Sequence, residues 1–269
     1  MAKIDVPLQR LRFGQTARTD AWWVAPLMWA LAFGLGAGYL TWGLFQPDNY
    51  WAPPYLTPLA SPLFFGEGPH ALLGHAKPSW WPATIPLLPG LFIGAFPLTF
   101  RATCYYYRGQ YYKSFFADPA GCTVGELRRN YKGETAFPFI LQNLHRYTLY
   151  FGIALIVFLT YDVVMATRFP VAPGSSETTF GLGLGTLLMA LNVTLASAYT
   201  FGCHAFRHLV GGGLDMLSRA PLRKKAYDCS SCLNSRHGLY AMASLYSMVT
   251  TDLYIRLCAA GVISDVRFF

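Results

Sequence analysis

Residues 22–45 read WWVAPLMWALAFGLGAGYLTWGLF, without one charged side chain. Wound as an α-helix, such a run is roughly 36 Å long at 1.5 Å per residue. That exceeds the ~30 Å hydrocarbon core of a bilayer. Working outward, four further stretches qualify as spans: roughly 82–103, 136–166, 179–206 and 238–262. The second holds Pro86, Pro89 and Pro97, so a kink is expected there. Of the 269 residues only 13% are charged, with 54% hydrophobic and 16% aromatic, whereas soluble domains carry about 25% charged residues. The fold class expected is therefore all-α: an integral membrane bundle of five transmembrane helices forming a single domain over residues 1–269. No internal repeat is evident.

The connecting segments give the orientation. Sixteen Lys and Arg fall in segments 1–20, 101–135 and 203–237, against three (Lys77, Arg168 and Arg267) in segments 46–81, 167–178 and the tail beyond 262. Basic residues collect on the cytoplasmic side, so the N-terminus is expected in the cytoplasm and the C-terminus outside, in a bacterial cell membrane. The net charge of +8 then reflects topology, and no nucleic-acid partner is expected. Residues 1–20 carry no short apolar core with a small-residue cleavage site, so the first span is expected to remain. Trp22, Trp23, Trp51, Trp80 and Trp81 sit near span ends, as interfacial belts do. The outer segment PPYLTPLASPLFFGEG (53–68) is expected to lie on the membrane surface, because prolines interrupt it every few residues. Neither inner loop is long enough to bury a core of its own, which excludes a fused soluble catalytic domain.

The fourth span ends in TFGCHAFRHLVGGG (200–213), a cluster of soft ligands on a greasy segment. With the orientation above, Cys104, Cys122, Cys203, Cys229 and Cys232 lie on the cytoplasmic side, as do His145, His204, His208 and His237. That compartment is reducing, and cysteines there more often bind metal or do redox work than form structural disulfides. Two cysteines and two histidines at one depth form the ligand set of a Rieske-type [2Fe–2S] centre. Cys104, Cys122, His204 and His208 are the first candidates, with Cys203 and His237 as substitutes; the usual Rieske sequence pattern is absent. His145, about nine residues into the third span, and His204, near the end of the fourth, could instead sandwich a b-type haem. In the plainer reading all these groups are hydrogen-bonded at the headgroups and hold nothing.

Arg101, Tyr105 to Tyr107, Arg108, Arg146 and Tyr147 form an aromatic and cationic patch, and quinone headgroups need donors at the edge of an apolar cleft. His145, Arg146, Tyr106 and Arg101 are placed near a quinone on that ground. CSSC at 229–232 reads as a metal half-site or a redox dithiol. Asp252 and Arg256, four apart within the fifth span, can pair on one face.

The segments FRATCYYYRGQYY (100–112), Cys122, GETAFPFILQNLHRY (133–147), CHAFRH (203–208), NSRHGLY (234–240) and TDLYIRLCAAGVISDVRFF (251–269) keep their order and spacing. Together they resemble the membrane-anchor subunit of bacterial succinate dehydrogenases of the actinobacterial kind, a respiratory-chain and tricarboxylic-acid-cycle complex. The resemblance implies an anchor that docks a flavoprotein and an iron–sulfur subunit on the cytoplasmic face and passes electrons to menaquinone or ubiquinone. It implies either b haem or a Rieske-like cluster, with Cys104, Cys122, Cys203, His204, His208 and His237 in the matching motifs, and leaves a homo-oligomer of the whole complex open. Two other classes compete with it. One is a non-redox scaffold or transporter centred on Asp252 and Arg256, and the other is a thiol oxidoreductase using Cys229 and Cys232.

Overall fold

The apolar run at the N-terminal side forms α1, Val24–Leu44, whose buried positions are Gly36 and Gly43 alone. The rest of that helix is an apolar surface suited to lipid. The structure, a computed structural model, describes residues 19–66, 71–74, 77–109, 114–115, 137, 139–172 and 175–269. Cys122 therefore lies outside the described residues. α2 (Pro89–Ala102) is followed by the short α3 (Tyr105–Gly109). A 3-10 turn at Phe139–Leu144 leads into α4, His145–Met165. α5 (Leu184–Phe201), α6 (His204–Gly211), α7 (Pro221–Asn234) and α8 (His237–Ala259) complete the helices.

Among the described residues, three segments are long and apolar enough to cross a membrane: Val24–Leu44, Ile140–Met165 and Leu184–Phe201. α8 has 23 residues and a polar seam, described below. The second expected span is shorter than the sequence suggests. α2 has 14 residues and begins at Pro89, because Pro82 and Pro86 supply no amide hydrogen to a helical ladder. The helix runs on through Pro97. The fourth expected span also breaks: α5 stops at Phe201, and α6 starts afresh at His204 after Gly202 and Cys203.

α8 is the axis of the bundle, packed along α5 and against α1. Its buried residues include His237, Ser244, Thr251, Asp252 and Arg256. α2 packs on α4, and α4 on α5. Gly36 and Gly43 bring α1 close: a Cβ at Gly36 would lie 2.9 Å from Leu245 Cδ2, and one at Gly43 2.6 Å from Leu59 Cδ1.

The proline-rich segment expected at the membrane surface folds back and packs into the bundle. β1 (Trp51–Ala52) and β2 (Tyr55–Leu56) pair antiparallel, and a 3-10 turn follows at Pro58–Ala60. Tyr55, Leu56, Thr57, Leu59 and Leu63 are buried, and the segment packs against α1, α2 and α8. Prolines prevent it from crossing as a helix, but its apolar side chains still find a core. A second hairpin, β3 (Arg168–Pro170) with β4 (Thr178–Phe180), joins α4 to α5.

Under this cap lies the Asp252–Arg256 pair expected from the sequence. Arg256 Nε donates to Asp252 Oδ2 at 2.8 Å. The remaining guanidinium nitrogens donate to the carbonyls of Asp48 (2.8 Å) and Gly43 (3.1 Å). Tyr39 donates its hydroxyl to the same carboxylate at 2.8 Å.

A buried thiol and imidazole cluster as candidate redox site

Four helix ends converge at the opposite end of the bundle. Cys104 follows the end of α2, Cys203 caps the start of α6, and His145 and His237 open α4 and α8. Cys104, Cys203 and His237 are each 1–2% exposed. The side chains meet in two pairs. His145 Nε2 lies 2.9 Å from Cys203 Sγ, and His237 Nε2 lies 3.7 Å from Cys104 Sγ. Cys104 and Cys203 share one packed core with Phe100, Tyr107, Leu149, Tyr199 and Ala241.

The imidazoles are held by aromatic rings. Phe100 stacks on His145 with centroids 4.6 Å apart and 2° between planes; Tyr199 stacks on His237 at 4.9 Å and 10°. Phe100 and Tyr199 meet edge-on at 5.6 Å. Each ring stands four residues before a cysteine, Phe100 before Cys104 and Tyr199 before Cys203, a repeated spacing legible in the sequence. His145 Nδ1 lies 3.1 Å from the Phe100 carbonyl. A carbonyl only accepts, so this nitrogen carries the proton and Nε2 presents its lone pair toward Cys203. A backbone carbonyl on the far nitrogen is the arrangement that orients a metal-ligating histidine. His237 Nδ1 is buried and has no hydrogen-bond partner among the described residues.

The expected ligands divide accordingly. Cys104, Cys203, His145 and His237 come together, whereas His204 and His208 do not join them. Those two are exposed on α6, their Nε2 atoms 3.0 Å apart. Partial burial, then His208 and the neighbouring Arg207, hold the His204 imidazole below its ordinary pKa. The haem geometry expected from His145 and His204 is also absent. His145 is the first residue of α4 rather than a mid-helix group, His204 sits beyond the end of α5, and His145 Nε2 already faces Cys203. Among the described residues no three His, Cys, Asp or Glu converge to hold a single metal ion. A Rieske-type binuclear cluster differs in needing two imidazoles on one iron and two thiolates on the other, so the two histidines would serve one iron and the two cysteines its neighbour.

Beside the cluster opens a cavity of about 470 Å³, lined in part by Tyr106, Arg108, His145, Arg146, His204 and His208. Three of the four residues expected near a quinone (His145, Arg146 and Tyr106) thus share one cavity. Arg101 is not among its lining residues. It donates to the Tyr107 hydroxyl, to the Ala241 carbonyl at 3.3 Å and to Ser244 Oγ at 3.1 Å. Its guanidinium also lies 4.9 Å over the Tyr199 ring, so it braces the aromatic support. Cys229 and Cys232 are exposed on α7.

No curated protein matches the chain. The family described as "Actinobacterial succinate dehydrogenase subunit SdhC" matches residues 24–261. Among solved structures, the chain is similar to one in the Mycobacterium smegmatis Sdh1 complex in the apo form. The two are 38% identical, with 98% of each chain covered and a TM-score of 0.80. On fold, motif order and these two likenesses, the chain belongs to the actinobacterial family of succinate dehydrogenase membrane subunits, and is one part of an oxidoreductase rather than an enzyme by itself.

Proposed function

We propose that the chain anchors succinate dehydrogenase in the bacterial cell membrane and relays electrons to quinone through a Rieske-like [2Fe–2S] cluster. The ligands would be Cys104, Cys203, His145 and His237. This set keeps the two-cysteine, two-histidine chemistry expected from the sequence, with Cys203 in place of Cys122, which lies outside the described residues, and His145 and His237 in place of His204 and His208. The observation that carries it is the pair of thiol–imidazole contacts, His145 with Cys203 and His237 with Cys104, inside one aromatic core.

When bound, such a cluster supplies one-electron transfer between donor and quinone. The chain's own residues do the rest. Phe100 and Tyr199 fix the imidazole planes and exclude water, and the Phe100 carbonyl sets the His145 tautomer. A dry shell of this kind tunes the potential of a metal centre. Haem is less well supported, because each buried imidazole turns its Nε2, the atom that would ligate iron, toward a thiol.

The cavity lined by Tyr106, His145 and Arg146 would take the quinone headgroup, either menaquinone or ubiquinone. The five expected crossings, with a cytoplasmic N-terminus and an outer C-terminus, are retained on the charge asymmetry. They place the cluster end on the cytoplasmic side, where the flavoprotein and iron–sulfur subunits would dock on the basic loops.

Electron paramagnetic resonance of the purified complex tests the ligand set. A dithionite-reduced [2Fe–2S] signal beyond those of the iron–sulfur subunit is expected. Cys203→Ser and His145→Leu should each abolish it in assembled complex with full flavin content, and His208→Ala should leave it intact. Retention of the signal in Cys203→Ser, or its loss in His208→Ala, would refute the assignment.

A further inference from the structure

Tyr106 has a second cavity on its other side, of about 410 Å³, walled by Trp29 of α1, Tyr106 and Tyr107 of α3, and Gly238, Leu239 and Met242 of α8. The two cavities differ in chemistry. The first is lined with Arg108, Arg146 and three histidines, whereas the second has no charged lining residue. Tyr107 forms a buried floor, and Trp29, Tyr106 and Leu239 form an exposed rim on helix faces that meet lipid in a membrane bundle. The Tyr106 ring is the shared wall. Its place depends on Gly238, where an added Cβ would come within 3.0 Å of Tyr106 Cδ1.

We infer that this apolar cavity binds the isoprenoid tail of the quinone whose headgroup occupies the polar one. The inference rests on the quinone reading above and adds a subsite to it. A quinone is polar at one end and a branched hydrocarbon at the other, so it needs one compartment of each kind within a ring's width. The two cavities on either side of Tyr106 supply that division. The aromatic and aliphatic lining suits the tail, and the rim between α1 and α8 lets it enter from lipid without crossing the charged cavity. Leu239, Trp29 and Met242 then determine how strongly tailed quinones are preferred over tail-less ones.

The test is steady-state kinetics of the whole purified complex with two acceptors, a quinone lacking a tail and one with a long isoprenoid tail. Leu239→Trp fills the cavity mouth and Trp29→Ala strips one wall, and both positions are on the exposed rim, where folding tolerates change. Leu239→Trp should raise KM for the tailed quinone about tenfold, the effect of losing burial for about two methylene groups. KM for the tail-less quinone should stay unchanged. Trp29→Ala should raise KM for the tailed quinone about threefold, again selectively.

Equal changes for both acceptors, or no change for either, overturn the subsite. So does a change confined to co-purifying phospholipid, which would make an acyl chain the occupant. Failure of the broader reading looks different. Wild-type complex that oxidises succinate with a soluble dye yet reduces neither quinone would overturn the quinone site itself.

Discussion

The two ends of the bundle bury polar groups in opposite ways. At the end under the proline-rich cap every nitrogen of the Arg256 guanidinium has an acceptor. Asp252 Oδ2 takes bonds from Arg256 and Tyr39, while Asp252 Oδ1 has no partner among the described residues. The proline-rich segment closes over that network. At the opposite end two thiols and two imidazoles touch one another, and His237 Nδ1 has no partner among the described residues. Charges buried in a low-dielectric interior persist only when paired and hydrogen-bonded, so the Asp252–Arg256 network reads as a structural clasp. Neutral thiols and imidazoles cost less to bury than charges, and four such donors gathered in one place suit a site that receives a metal centre.

Breaking the Asp252–Arg256 clasp should cost stability and spare electron transfer. Asp252→Leu leaves the Arg256 charge uncompensated and should destabilise the subunit by about 3–5 kcal/mol, read as a lower melting temperature and poor recovery of assembled complex. The double variant Asp252→Leu with Arg256→Met removes both charges and should recover most of the loss, with normal quinone reduction per assembled complex. A double variant that assembles well but no longer reduces quinone would move Asp252 and Arg256 into the functional machinery. That outcome would favour the transporter-like alternative.

A smaller effect separates the packed cap from the lipid-facing surface. Gly185 opens α5 against Tyr55, and a Cβ there would lie 2.6 Å from the Tyr55 ring. That ring cannot retreat, because Tyr55 is 1% exposed and donates to Asp265 at 2.6 Å. Gly185→Ala should cost about 1–3 kcal/mol through overpacking. At Gly38, on α1, an added Cβ would meet nothing within 4 Å, so Gly38→Ala should be neutral or slightly stabilising. Thermal denaturation of the two variants side by side checks the difference; equal losses would mean that the cap is not wedged into the bundle.

The sequence made the contents of both ends legible, and their arrangement less so. Apolar runs mark α1, α4, α5 and α8 because length and hydropathy are local properties. The break after Phe201 is hidden, since Gly202, Cys203, Ala205 and Phe206 continue an apolar pattern on which a helix could also run. The burial of Tyr55, Thr57 and Leu59 is hidden too: their partners, Asp265 and Gly43 among them, stand far away in the chain. At the cluster, the residue types were legible in the sequence. Which histidines face the thiols was not, because His145 and His237 lie 58 and 133 residues from the cysteines they touch, and only tertiary packing brings them there.

The least effect is expected where the sequence offered its most conspicuous motif. Cys229 and Cys232 stand three apart on α7, both exposed. Residues at that spacing share a helix face, so the pair is compatible with dithiol chemistry on geometric grounds. Their surroundings differ from those of Cys104 and Cys203, which aromatic rings and imidazoles enclose. An exposed pair has neither the excluded water nor the nitrogen donors of the inner site. Cys229→Ser with Cys232→Ser should therefore leave the resonance signal, the quinone reductase rate and the melting temperature of the complex unchanged. A clear fall in the reductase rate would give the dithiol a part in electron flow, and the division between a functional interior and a passive basic surface would no longer hold.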